Sequence, residues 1–396
     1  MSGRSALALA LASLVAGALN YLYQVHAASV LDASAFGLLS AWLARVTLLG
    51  TGATVVQFLS LDHALDDRRF VGALRALGVL SIVVVVIQLV LGTRLSTTLL
   101  GATAIGSGVV LYAVIGQLQA RLRLGVVAAV GVATAGARFA LPFAWPREGR
   151  ASAFYVAQAT AFFVGLLVAA AFVSGKRGPS LPGAPSEASA PTRPRRARLA
   201  RPVLLESATV LFPLIDVLVI SSFQDAATTG AFSRVTLASR LVFFAGAAAL
   251  QILLPHELHA AASGRPLPPF PARLQRWIMP AGIGGALVLA VAVDVLVLHP
   301  VPAQRPWLYA SCLAASFLVA ILGHVNQLAA RDRLEPAAAI VGAVVVTSGA
   351  AAALAASGGE PVTRYTLVVL AGDALVLLFS AVATRRARAA TTDPKT

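Results

Sequence analysis

Seven ionisable side chains stand inside long apolar runs of this 396-residue sequence: Arg45, Arg138, Asp216, Arg234, Arg240, Asp294 and Asp373. Each costs at least about 2.5–3.5 kcal/mol near the centre of a bilayer, so each marks a site by default. A guanidinium is a flat fork of donors that matches the oxygens of a phosphate or a carboxylate. Arg45, Arg138, Arg234 and Arg240 fall in three separate runs, which packing alone explains poorly. They predict a cationic cavity for an anionic head group. Asp216 follows Pro213 by one helical turn, and the proline frees a backbone carbonyl beside the acid. An acid beside a kinked span reads as an ion or proton site. A structural ion pair with Arg45, Arg138 or Arg240 is the alternative for Asp216. Arg234 is either a cavity residue or one that snorkels to the outer surface. Asp294 and Asp373 read as cavity or interface charges.

Polar neutral residues accompany these charges. Asn20 and Gln24 stack at i, i+4 on one helix face, and His26 lies just beyond them. We assign Asn20, Gln24 and Gln251 with the four arginines to substrate binding, and His26 with Asp216 to ion or proton coupling; hydrogen-bonded packing is the alternative for His26. On one continuous helix, Arg240 and Gln251 would sit about 20° apart, and Arg234 about 120° from Arg240. Thr236, Phe244 and Ala247 would share the Arg240 stripe.

Helices must position these groups, because a span needs about 20 mostly apolar residues. Twelve are predicted, at 7–29, 36–60, 71–91, 98–118, 124–145, 151–173, 203–222, 230–254, 278–298, 306–328, 337–356 and 362–383. The N-terminal run has a signal-like start, but its apolarity continues past Ala18, which predicts an uncleaved first span. With both termini in the cytoplasm, 22 of the 31 basic residues fall on the cytoplasmic side, 5 outside and 4 within spans. That bias follows the positive-inside rule. The polar segment 175–202 is rich in Pro, Ser and Arg, so it reads as a cytoplasmic linker between six-span halves 1–174 and 203–396. Six spans per half is a parallel repeat. Asp32, Gly37 and Ser40 recur as Asp225, Gly230 and Ser233, all shifted by 193, and Gln57 recurs as Gln251.

Composition narrows the class further. Hydrophobic residues make up 58% and charged residues 12%, with mean hydropathy +0.82. Soluble domains carry about 25% charge, so this is an all-α polytopic membrane protein. The net charge of +15 sits in short loops beside apolar runs, which favours topology over nucleic acid as its cause. The lone Cys312 excludes an internal disulfide. No phosphate-cradling glycine loop, HEXXH motif or nucleophile–base arrangement is present, so no enzyme, cofactor or metal centre is expected.

Two hairpins carry a family resemblance. The run NYLYQVHAASVLDASAFGLLSAWLA (20–44) resembles the first two helices of polysaccharide and O-antigen flippases. The run 211–257 resembles their helices seven and eight, with Asp216 in span seven, Gly230 and Phe232 opening span eight, and Pro255 closing it. These flippases belong to the multidrug/oligosaccharidyl-lipid/polysaccharide exporter superfamily. The resemblance implies two six-helix lobes around a central cavity, alternating access, and movement of polyprenyl-diphosphate-linked sugars from the inner to the outer leaflet of a bacterial cytoplasmic membrane. It implies that Arg45, Arg138 and Arg240 bind the diphosphate or acidic sugars. Its expected partners are the lipid-linked oligosaccharide, membrane lipids, and a polysaccharide polymerase or glycosyltransferases. At 396 residues the chain is small for that family.

Two other functions compete. An ion-coupled exporter of small molecules or drugs, MATE-like or facilitator-like, fits the span count. A facilitator would carry a Gly- and Arg-rich loop after span two, whereas SLDHALDDRRF (60–70) has no glycine, and a cationic-drug exporter would carry an acidic cavity. A non-transporting scaffold of a polysaccharide assembly complex would tolerate neutral residues in place of the arginines.

Overall fold

The computed structural model describes residues 3–62, 95–120, 123–144, 150–173, 195–263, 269–295, 302–356 and 360–392. Among them the chain is α-helical with short 3-10 turns and no strand. The helices are α1 (Gly3–Val30), α2 (Ala33–Asp62), α3 (Leu95–Ala120), α4 (Leu124–Ala140), α5 (Arg150–Val173), α6 (Arg195–Leu211) and α7 (Ile215–Phe223). They continue with α8 (Ala226–Val235), α9 (Leu237–Ser263), α10 (Pro269–Val293), α11 (Arg305–Ala330), α12 (Leu334–Ala356) and α13 (Pro361–Thr392). An apolar solvent offers no partner for a free amide, so long runs of Ala, Leu and Val close their hydrogen bonds within the segment. Eight helices are long and apolar enough to cross a membrane, and up to ten if each of two bent pairs is one span. The span expected over 71–91 and most of the linker expected over 175–202 lie outside the described residues.

Two local features differ from the expected spans, and a third agrees. The helix of span seven begins at Arg195, so the last arginines of the expected linker continue into α6. Span seven then breaks by 54° between α6 and α7, at Pro213 as the sequence predicts. Span eight is not one continuous helix: it bends by 48° between α8 and α9. The hydroxyl of Thr236 donates to the Phe232 carbonyl at 3.0 Å, the back-bonding that bends helices. The common stripe predicted for Arg240 and Thr236 therefore spans a break.

The described residues form two compact units, Met1–Tyr23 with Leu49–Val203, and Gln24–Leu48 with Leu204–Thr396. The second unit thus takes in the end of α1 and the start of α2. In the first unit, Leu111 and Leu118 of α3 pack with Val127 and Val130 of α4 and Ala169 of α5. In the second, Phe243 and Leu250 of α9, Leu322 of α11, Ile340 of α12 and Leu377 of α13 share one core. Elsewhere large apolar side chains face outward, such as Leu167 (71% exposed) and Leu375 (69%), as a lipid-facing surface requires.

The turns are built from identifiable caps. Asp32 accepts the Ala35 N–H at 2.7 Å, and Asp225 accepts the Thr228 N–H at 2.7 Å. That bond holds the exposed Asp225 carboxyl below the usual carboxylate range. Helix α11 ends with Asp332 at φ 59°, the Arg333 N–H on the Leu328 carbonyl and the Asp332 N–H on the Ala329 carbonyl. This is the Schellman arrangement.

Candidate functional site

In the first unit, Arg138 lies in the last α-helical turn of α4, ahead of the 3-10 turn Leu141–Ala144 that contains Pro142. The sequence placed it just past the middle of its span; the proline ends the α-helix early. The helix C-terminus favours a cation there. Its Nη1 donates to Asn20 Oδ1 of α1 at 2.8 Å, and its guanidinium lies 5.5 Å from the Phe162 ring centre. Its Nε is buried without a hydrogen-bond partner. Beside it, the Tyr23 hydroxyl donates to the Phe154 carbonyl at 2.7 Å, which fixes α1 against α5. Arg138 is therefore met by a neutral amide and an aromatic face.

The second unit holds the remaining charges. Arg240 stands in the first turn of α9, is 5% exposed, and donates through Nη1 to Gln24 Oε1 at 2.5 Å. Arg45 of α2 is half-buried and has no hydrogen bond or ion pair to a described residue. Its neighbour Ala44 packs with Val217 and Ile220 of α7 and Tyr365 of α13. Asp216, in the first turn of α7, accepts the Tyr365 hydroxyl at 2.8 Å. That tyrosine takes the place of the arginine partner considered from the sequence, although Arg240 is near enough to act on Asp216 electrostatically.

Asp373 of α13 is 1% exposed, and neither carboxyl oxygen has a partner. It lies near enough to Asp216 for the two acids to repel each other. The Ser348 hydroxyl of α12, near Tyr365, is likewise buried. Asp216, Tyr365, Ser348 and Asp373 thus form an acidic, hydroxyl-bearing group within helices α7, α12 and α13. A buried carboxylate with nothing to accept from is poised for a proton or a small cation. Sequence reasoning left Asp373 as a generic cavity or interface charge and missed Tyr365. The available signal was the polar stripe Thr366, Asp373 and Ser380 on α13, at seven-residue steps and all buried.

The other candidates have different surroundings. Arg234 at the end of α8 donates to the Leu31 carbonyl and sits 5.9 Å from the Phe36 ring centre. Asp294 accepts Arg305 Nε at 3.2 Å and the Tyr309 hydroxyl at 3.0 Å, a local ion pair joining α10 to α11. His26 is half-buried on α1, two residues after Gln24. The side chain of Gln251 lies outside the described residues. Among the described residues no cluster of His, Cys, Asp and Glu has the geometry to hold a metal ion.

No known protein family's profile matches the chain, and no curated protein matches it in sequence. Solved structures do. A multidrug resistance MATE family transporter of the MOP superfamily, in an inward-facing conformation, aligns with TM-score 0.66 at 12% identity over 96% of both chains. An outward-facing MATE transporter of that superfamily aligns with TM-score 0.63 at 12% identity, over 98% of this chain and 96% of the other. A MOP superfamily transporter from Pyrococcus furiosus, reported as having a binding pocket of reverse polarity that suggests a different function, aligns with TM-score 0.54 at 13% identity, over 98% and 96%. The chain has the fold of these transporters.

Proposed function

We propose that this chain is a membrane exporter that works by alternating access, and that its cargo is a polyprenyl-diphosphate-linked oligosaccharide carried from the inner to the outer leaflet. The fold shared with transporters in both inward- and outward-facing conformations supports the transport reading. The observation that carries the substrate is the pairing of the guanidiniums. Arg138 and Arg240 are held by the amide oxygens of Asn20 and Gln24, and Arg45 by no described residue. A neutral amide orients Arg138 without cancelling its charge, and its buried Nε has no partner, which supports a diphosphate as the group it would receive. A cationic drug would be repelled by the same groups. The Pyrococcus neighbour with a reverse-polarity pocket is a precedent for such a difference within the fold.

A second reading, cation-coupled export of a small molecule, is favoured by the acidic group Asp216, Tyr365 and Asp373 for the coupling and by the multidrug resistance name of a MATE neighbour for the cargo. In either reading these carboxyls take the coupling proton or cation.

The deciding experiment follows labelled polyprenyl-diphosphate sugar between leaflets of proteoliposomes. Wild type should transfer it, and Arg45→Ala and Arg240→Ala should each lose roughly 10–100-fold, the worth of one hydrogen bond to a charged group. Absence of transfer with any related lipid carrier, under an imposed ion gradient, would overturn the substrate; transfer of soluble compounds instead would establish the second reading.

A further inference from the structure

We propose that the outward face of α10 binds an anionic phospholipid of the surrounding bilayer, with its phosphate on Arg273 and Arg276 and an acyl chain along the helix beyond Trp277. The site lies wholly in the second unit and does not depend on the cargo. Helix α10 is the least covered of the candidate spans: 11% of its membrane-long stretch is buried, against 28–78% in the other seven. Its two faces divide sharply. On the inner face Gln275 donates to Glu257 of α9 at 2.9 Å, and the Gly282 carbonyl accepts the Ser316 hydroxyl of α11 at 3.1 Å. Ala286 and Ala290 complete that face and are fully buried. These anchors fix which way the opposite face turns. At 100° per residue, Arg273, Arg276 and Trp277 fall within an arc of about 100° on the outward side, and Gly284, Val288 and Val291 continue it. All six are exposed, Trp277 by 66% and Val288 by 70%.

The order of these residues is that of a lipid. Two guanidiniums come first, then an indole, then apolar side chains. Tryptophan marks the boundary between head groups and hydrocarbon, so the arginines before it stand at head-group depth. From Trp277 to Val288 the helix rises about 16 Å, close to the depth of one leaflet in a hydrocarbon core about 30 Å thick. The charges are also uncancelled. Neither Arg273 nor Arg276 forms a hydrogen bond or ion pair with a described residue, and Glu257 of the neighbouring helix is engaged by Gln275 on the inner face. A pair of guanidinium forks matches phosphate oxygens. Pro280 cannot supply the N–H that the Arg276 carbonyl would take within the helix, which leaves an acceptor for a head-group hydroxyl beside the phosphate donors. The charge also decides against a second copy of the chain as the cover. Two copies related by a twofold axis along the membrane normal meet at equal depth, so Arg273 and Arg276 would face their own like charges. Basic groups beside a span favour anionic lipid instead.

The test titrates the full-length protein in detergent with phosphatidylglycerol, cardiolipin or phosphatidylethanolamine and counts retained lipid by native mass spectrometry. Wild type should retain an anionic lipid and release phosphatidylethanolamine. Arg273→Gln with Arg276→Gln should weaken that binding roughly 10–30-fold, the worth of two surface arginines against anionic lipid. The same pair of changes at Arg385 and Arg386, exposed on α13, removes equal charge elsewhere and should leave the tight lipid in place. A phosphatidylglycerol with a photoactivatable acyl chain, in proteoliposomes of the unmodified protein, should mark α10 between Trp277 and Val291. That readout needs no variant to fold. Equal retention of phosphatidylethanolamine, or equal loss from the Arg385 and Arg386 variant, would reduce the effect to bulk charge and overturn the site. Dimers that carry no lipid and crosslink through α10 would overturn it in favour of a second copy.

Discussion

Asp373→Asn should make the protein more stable and less coupled. The side chain is 1% exposed on α13, both carboxyl oxygens lack partners, and Asp216 adds repulsion. An unpaired ionised acid in the bilayer costs about 2.5–3.5 kcal/mol, part of which remains with a polar amide in its place. A gain of about 1–2 kcal/mol is a fair fraction of that cost. Domains of 150–250 residues shift by about 2–4 °C per kcal/mol and a longer chain by less, so the melting temperature in detergent should rise by about 1–4 °C. The same change removes the acceptor for a proton or cation. Uptake driven by an imposed proton or sodium gradient should fall at least about tenfold, while gradient-independent equilibration persists. Wild type, but not Asp373→Asn, should be further stabilised by the coupling ion, as ligand linkage requires. A melting temperature that drops, together with unchanged gradient dependence, would show that Asp373 is a structural acid and that the coupling argument is wrong. This is the trade expected where a strained residue is kept for function.

Two further outcomes follow from the sequence pattern and the turns. In a Cys312→Ala background, Ser34→Cys in the first turn of α2 should react with impermeant maleimide on intact cells, whereas Arg333→Cys after α11 should react only once the membrane is opened, because the basic residues gather on the Arg333 side. Reversed labelling would invert the topology. Asp332→Gly should raise stability by less than about 1 kcal/mol, since Asp332 holds φ 59° and glycine relieves that conformation while losing more entropy on folding. A lower melting temperature would mean that the Asp332 side chain contributes more than its backbone costs.

Much of the architecture was legible because the bilayer constrains it. A run such as 36–60 can only be a helix, and α2 spans Ala33–Asp62. The break at Pro213 was legible too, since proline withholds a donor wherever it stands. The break at Thr236 was not. Threonine is tolerated in membrane helices, and only the fold shows its hydroxyl turned back onto the Phe232 carbonyl. The arginines were legible as sites by their cost, but not by their partners. Asn20 and Gln24 stand four residues apart on α1, yet Arg138 takes the first and Arg240 the second. Periodicity on one helix says nothing of which neighbour arrives. Asp373 looked ordinary in sequence because its significance lies in what it lacks, and a missing partner appears only once its surroundings are known.

Both helix breaks fall in the second of the two hairpins that the expected repeat would pair. At the shift of 193 that aligns the hairpin tips, Pro213 falls on Asn20, Asp216 on Tyr23, Thr236 on Leu43, and Arg240 on Thr47. The first copy has neither the proline nor the threonine, and α1 and α2 run unbroken. The second copy has both breaks, and Asp216 and Arg240 each stand in the first turn after one. Interrupted backbone is tolerated at membrane depth only where protein or a water-filled cavity surrounds it. Such breaks also let short helices direct their ends at ions. Where the two copies remain alike, at Asp32/Asp225, Gly37/Gly230 and Ser40/Ser233, they are capping and packing residues. Likeness between the copies therefore tracks the contact that a symmetric pair must share, and divergence tracks the charges that only one copy needs to hold.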